Sequence, residues 1–156
     1  RARSGQSFAL GLARMGARIV YSGTTGLRTP DVIREKLDAM GARYEEHNDL
    51  TISQQEELIA DQGIDLLYLP GCSVKKGDPG RDDFMKKMEG YYFTVEGLSR
   101  IQEKGGKTVG VMHSLPRNEG EFDFGIDNTV HELYFKQIGF SVPLRMSLIA
   151  NIVGVS

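Results

Sequence analysis

Cysteine is almost missing from this sequence: one residue, Cys72, in 156. A disulfide within the chain is thereby excluded, and a reducing, cytoplasmic setting is the expectation. A dominant charge is missing too. Lysine and arginine number 19 against 21 aspartates and glutamates, a net −2 that leaves no electrostatic footprint for nucleic acid. No apolar run approaches the roughly 18–20 residues that span a bilayer, so neither nucleic acid nor membrane is an expected partner. No G-x-G-x-x-G stands between a strand and a helix, and "GTTG" at residues 23–26 is a weak substitute for one. A nucleotide-binding module is the lesser reading, and neither cofactor nor metal is expected. There is no signal-like start, and Arg1 in place of a methionine reads as a cut through a longer chain.

What is present is an alternation of helical and extended patterns, with 40% hydrophobic residues to build a core. In "SGQSFALGLARMG" Phe8, Leu12 and Met15 recur at helical spacing, and Gly16 can end the helix before the strand "ARIVYSG". Thr29 then reads as a cap with Pro30 at the first helical position and Ile33, Leu37 and Met40 on one face, before the weaker strand "ARYEEH". "SQQE" at residues 53–56 reads as a capping box whose helix stops near Gly63, and "IDLLYL" as a buried strand. Thr94 caps a helix bearing Val95, Leu98 and Ile101, and "TVGVM" follows as the next buried strand. "NTVHELYFKQ" and "VPLRMSLIANIV" read as two closing helices, the second opened by Pro143 and carrying Leu144, Leu148 and Ile152 on one face. Repeated βα units predict an α/β fold: a three-layer, doubly wound, Rossmann-like parallel sheet of about four or five strands, helices on both faces, in one domain over residues 1–156.

Two loops depart from this order. Residues 70–83, "PGCSVKKGDPGRDD", follow a strand with three glycines, two prolines and the Lys75–Lys76 pair. They read as a surface loop by composition, or as a substrate loop whose lysines meet an anion. The second, "HSLPRNEGEFDFGID", puts His113, Ser114 and Arg117 just past a strand end, where parallel sheets bind ligands. Proline at 116 forbids a continuing helix and turns the chain there.

"MHSLPR", an acidic stretch, "VHELYFKQ" and "VPLRMSLI" together resemble the closing third of the aspartate carbamoyltransferases, whose motifs follow in the same order. "RSGQSFALGLARMG" resembles that family's earlier helix, so the similarity covers nearly the whole chain and extends to the ornithine branch of the superfamily. The resemblance implies the acceptor-binding half of an enzyme that moves a carbamoyl group from carbamoyl phosphate to the amino group of aspartate, in pyrimidine synthesis. In that family the carbonyls before the motif's proline face the reacting nitrogens. This would give catalytic roles to Ser114, Leu115 and Pro116, with a cis Leu115–Pro116 bond. Arg3 would meet the acceptor's carboxylate, with His113 and Arg117 beside it. The resemblance further implies a separate amino-terminal carbamoyl-phosphate domain, not found in these residues and without which the chain would be inactive, and a homotrimer whose neighbour completes each site.

The departures from the family matter as much. The aspartate enzymes' Thr-Arg-x-Gln clamp falls on Gly71 and Ser73 here, so Lys75 or Lys76 would have to stand in for the arginine, or the acceptor is another amino acid such as ornithine. The ornithine enzymes' cysteine before Leu-Pro is Ser114 in this chain. An inactive homologue with an assembly role is the remaining reading.

Overall fold

In a computed structural model the described residues are 3–71 and 77–154, apart from the side chains of Arg3 and Leu27. Six helices and four strands run in the order α1 (Arg3–Arg14), β1 (Ile19–Gly23), α2 (Asp31–Ala39), β2 (Tyr44–Asn48), α3 (Ile52–Asp61), β3 (Leu66–Leu69), α4 (Arg81–Met88), α5 (Val95–Gly105), β4 (Gly110–His113) and α6 (Tyr134–Val153). Every strand pairing is parallel, as βα alternation requires. β1 lies on β2 from Ile19 opposite Tyr44 to Gly23 opposite Asn48, and β3 on β4 from Leu66 opposite Gly110 to Leu69 opposite His113. The protein is thus α/β, but its ladders form two two-stranded pairs and not one continuous sheet.

Each pair has its own core. Around β1, Ile19 packs with Ala9 and Ala13 of α1 and with Ile33 and Leu37 of α2. Around β4, Val109 and Val111 pack with Ile59 and Ala60 of α3, Leu98 and Ile101 of α5, and Phe122, Ile126 and Tyr134 beyond. Several contacts join the pairs, among them a 3.2 Å hydrogen bond from the Ser22 hydroxyl of β1 to the Gln55 side-chain oxygen of α3. The Arg18 guanidinium, just before β1, donates to the Gln62 side-chain oxygen at 2.8 Å and to its carbonyl at 2.7 Å, at the end of α3. The Phe8 ring of α1 stacks on Tyr68 of β3 with centroids 4.6 Å apart.

Several element ends differ from the expectation. α1 buries Ala9 and Ala13, and Met15 is 76% exposed, because small side chains let the helix lie close to the strand. α2 begins one residue late, with Pro30 in the cap position and the Thr29 N–H donated to Glu46. The capping box of α3 is Thr51 with Gln54: the hydroxyl accepts from the Gln54 N–H at 3.3 Å, and the Gln54 side chain accepts from the Thr51 N–H at 2.9 Å. Glu56, expected to complete a box with Ser53, instead pairs with Arg100 of α5. Thr94 caps α5 as expected.

At the chain's end the two expected helices are a single helix, α6, with Pro143 inside it. Residues 131–133 run beside β4, not as helix: the Val111 N–H donates to the His131 carbonyl at 2.7 Å, and the Leu133 N–H to the Val111 carbonyl at 3.0 Å. The expected loop of residues 70–83 gives way to α4 from Arg81. Among the described residues, no helix is long and apolar enough to cross a membrane.

Candidate functional site

β3 and β4 run parallel and in register, so both end at the same edge, where Leu69 stands opposite His113. β4 delivers His113, fully buried, into the turn Ser114–Leu115–Pro116. Ser114 and Pro116 are exposed at that edge. Leu115 has φ 45, in the left-handed region that costs a non-glycine residue about 1–2 kcal/mol. The Leu115–Pro116 bond is cis. The Leu115 N–H donates to His113 Nδ1 at 2.9 Å, so the ring reaches forward over two residues to hold the turn it leads into.

That bond assigns the tautomer. With Nδ1 accepting, the neutral ring carries its proton on Nε2. Nε2 lies 3.3 Å from a carboxylate oxygen of Glu121, but the angle is poor, and the contact is electrostatic rather than a formed hydrogen bond. Burial pushes the His113 pKa below its ordinary value; Glu121 opposes that shift and Arg117 reinforces it. The Glu121 carboxylate is itself oriented by Asn118, accepting from its backbone N–H at 2.8 Å and its amide at 3.1 Å. The Phe122 ring closes the far side, with its centroid 5.4 Å from that of His113.

Arg117 turns inward. Its fork meets both oxygens of Asp127, and one arm also donates to the Tyr134 hydroxyl at 3.2 Å. The guanidinium stands 4.2 Å from the Phe124 ring centroid, with Phe122, Tyr134 and Phe135 also within 6 Å. Bonding to Asp127 raises the Arg117 pKa and correspondingly lowers that of Asp127, while burial raises that of the Tyr134 hydroxyl. The result is a rigid clasp tying the turn to the start of α6.

Gly71 follows the end of β3 and backs onto the histidine. A Cβ there would lie 3.5 Å from His113 Nε2 and 3.7 Å from Glu121 Oε1. α1 meets the same strand from the other side: besides the Phe8–Tyr68 stack, a Cβ on Gly5 would be 3.8 Å from the Tyr68 ring. Tyr68 is opposite Met112, one step before His113. The first turn of α1, which Arg3 opens, therefore sits over the β3–β4 pair near its carboxyl end. Ser73, Lys75 and Lys76 lie outside the described residues. Glu121, Asp127 and Tyr134 were not singled out by the sequence. Asp127 and Tyr134 stand ten and seventeen residues after Arg117, and no local spacing pairs them with it. Among the described residues, no three histidine, cysteine or carboxylate side chains converge as a metal would need.

The arrangement can hold an unusual main-chain turn rigidly at a strand edge, using a neutral histidine and an arginine clasp as braces. No family model matches the chain. It is 42% identical over 154 residues to the ureidoglycine carbamoyltransferase of Rubrobacter xylanophilus, covering 98% of this chain and 44% of that protein. It is 31% identical over 156 residues to the aspartate carbamoyltransferase catalytic subunit of Staphylothermus marinus, and 32% over 152 residues to that of Methanopyrus kandleri, in each case nearly the whole of this chain. The chain spans about half the length of the curated relatives it matches. With the strand-edge His-Ser-Leu-Pro-Arg turn in place and relatives of both kinds aligned from end to end of these residues, the chain belongs to the aspartate/ornithine carbamoyltransferase superfamily.

Proposed function

We propose that this chain is the acceptor-binding half of a carbamoyltransferase, and that its acceptor is an amine of the ureidoglycine kind. In the reaction the acceptor's neutral amine attacks the carbonyl of carbamoyl phosphate, a C–N bond forms, the C–O bond to phosphate breaks, and the amine's extra proton departs. Such chemistry needs positioning and fixed dipoles more than a covalent nucleophile. The Ser114 and Leu115 carbonyls would accept hydrogen bonds from the reacting nitrogens at the edge shared by β3 and β4. His113, with Glu121 behind it and Leu115 N–H in front, positions those carbonyls and is not a base. Arg117 braces the turn through Asp127. Arg3 and the free N–H groups of the first turn of α1 would take the acceptor's carboxylate. Lys75 and Lys76 remain candidates for a second contact. The carbamoyl-phosphate site would lie on another half of the protein, the two strand pairs would be parts of one doubly wound sheet, and a trimer would complete the site.

The observation that favours a ureido acceptor over aspartate is Gly71. It stands against His113 and the Glu121 carboxylate, at the position where the resemblance puts an arginine clamp for a second carboxylate. A second carboxylate would there meet a like charge, whereas the uncharged urea group of ureidoglycine would not. The relative with 42% identity carries the ureidoglycine name. The test is phosphate release by the full-length protein from carbamoyl phosphate with ureidoglycine, aspartate and ornithine in turn. The expected result is at least about tenfold higher kcat/KM for ureidoglycine than for aspartate, or about 1.4 kcal/mol. Preference for aspartate would overturn the acceptor; a well-folded protein silent with all three would overturn the reaction.

A further inference from the structure

The motif "GTTG" is left unused by the reaction above, and the structure places it in a cleft. This cleft, about 380 Å³, opens at the carboxyl ends of β1 and β2, and no residue of the His113 turn lines it. Thr24, Thr25 and Gly26 form one wall, Asp49 and Leu50 a second, and Lys87 and Tyr91, beyond β3, reach in from α4 and the turn after it. Strand ends of this kind are where parallel sheets bind small molecules, and the volume is ample for one.

Asp49 is held here in a strained backbone state. Its φ is 59, in the left-handed region, and apart from Leu115 it is the sole described non-glycine residue with positive φ. Its N–H donates to the Gly23 carbonyl at 2.8 Å, and its carboxylate accepts from both the N–H and the hydroxyl of Thr25. Those bonds aim a fixed negative charge into the cleft while leaving lone pairs over, since a carboxylate accepts about four hydrogen bonds. A positive charge faces the same space. Lys87 is exposed on α4 and takes part in none of the ion pairs among the described residues. One hydroxyl completes the set: Thr24 precedes its 3-10 turn without the capping bond its position allows. Tyr91 lines the cleft with its ring, while its hydroxyl is shut off from solvent beside Ser22 and the Asp49 backbone and backs the Asp49 wall.

One anchored anion, one cation with no ion pair among the described residues and one hydroxyl in a small cleft match a ligand that carries both charges. We propose that this cleft binds a free amino acid, its ammonium on Asp49 and its carboxylate on Lys87 with the Thr24 hydroxyl, at a site separate from the acceptor's. A simple anion fits less well, because Asp49 would repel it. A simple cation leaves Lys87 unanswered.

The test is calorimetric titration of the full-length protein with glycine, alanine, aspartate and glutamine. At least one should bind saturably in the micromolar to millimolar range, and acetate and methylamine, each with one of the two charges, at least about tenfold more weakly. Lys87→Gln, an exposed change that leaves the fold alone, should weaken binding by at least about tenfold and leave the acceptor KM unchanged. Asp49→Asn should do the same, since asparagine tolerates the left-handed backbone. No saturable binding of any of the four, binding indifferent to Lys87→Gln, or a parallel rise in acceptor KM would each overturn the proposal. The last result would place the probe at the acceptor site. None of these results depends on which acceptor the enzyme uses.

Discussion

At the scale of single residues, His113 has Nδ1 committed to the Leu115 N–H, Nε2 in electrostatic contact with Glu121, and almost no access to solvent. Protonating it would break the bond to the Leu115 N–H, because Nδ1 would then be a donor. Its pKa is accordingly lower folded than unfolded, burial being the main cause. The sign follows: the unfolded chain takes up the proton at higher pH, so the stabilisation is fully present above about pH 6.5 and is lost as pH falls towards the folded value. Urea midpoints at about pH 7.5 and about pH 5.5 should therefore differ more for the native protein than for His113→Gln. Equal differences would mean that the ring is not held neutral. Under the proposed function Arg3 is the opposite case, a residue whose worth would lie in the ligand. Arg3→Ala in the full-length enzyme should cost about 2–4 kcal/mol in acceptor kcat/KM with little change in carbamoyl phosphate binding, and unchanged acceptor kinetics would sink its assignment. The histidine, the turn and Arg117 were legible because they are contiguous and follow a strand. Glu121, Asp127 and Tyr134 were not, since what pairs them with His113 and Arg117 is the fold of the loop between β4 and α6.

At the scale of elements, α3 separates what the sequence says from what the chain does. Ser53 and Glu56 satisfy the capping-box pattern, but Thr51 and Gln54 satisfy it too, and the cap that forms is the earlier one. The choice is decided by tertiary contacts: Glu56 is drawn to Arg100 of α5 across the α3–α5 packing, and helix starts two residues earlier are cheap when a second cap is available. Thr51→Ala should lower stability by about 1 kcal/mol and Ser53→Ala by much less, a contrast that thermal denaturation of the two variants resolves. The reverse order would restore the pattern read from sequence. The strands were legible to within about two residues, but only β4 of "TVGVM" is buried as its apolar run implies. "IDLLYL", expected to be buried, is half-buried with Leu66 exposed, because among the described residues only β4 pairs with it and one of its faces stays open. The closing segment was not legible. Residues 129–133 carry helical spacing, yet the main chain of 131–133 completes hydrogen bonds on the free edge of β4, and a proline that commonly opens helices sits inside one.

At the scale of the whole molecule, α6 is the feature that two small cores do not explain. Beyond its first turns the helix carries Ile138, Phe140, Val142, Leu144, Met146, Leu148, Ile149 and Ile152 exposed around its circumference, with Phe140 73% and Ile152 83% accessible. A helix that is apolar on all sides belongs inside a larger core. Pro143 sharpens the point, since it leaves the Gly139 carbonyl without its usual partner in a stretch open to water. The relatives are about twice the length of this chain, and under the proposed function the surface covering α6 would be the carbamoyl-phosphate half of the protein. Leu148→Asp and Ile152→Asp separate the two situations. In these 156 residues alone both side chains are exposed, so the substitutions should leave the urea midpoint unchanged and reduce self-association at high concentration. In the full-length protein each should cost roughly 2–3 kcal/mol, the worth of one large buried apolar side chain, with more for the charge left in an apolar setting. If both substitutions prove neutral in the full-length protein, α6 is not the surface on which the halves meet.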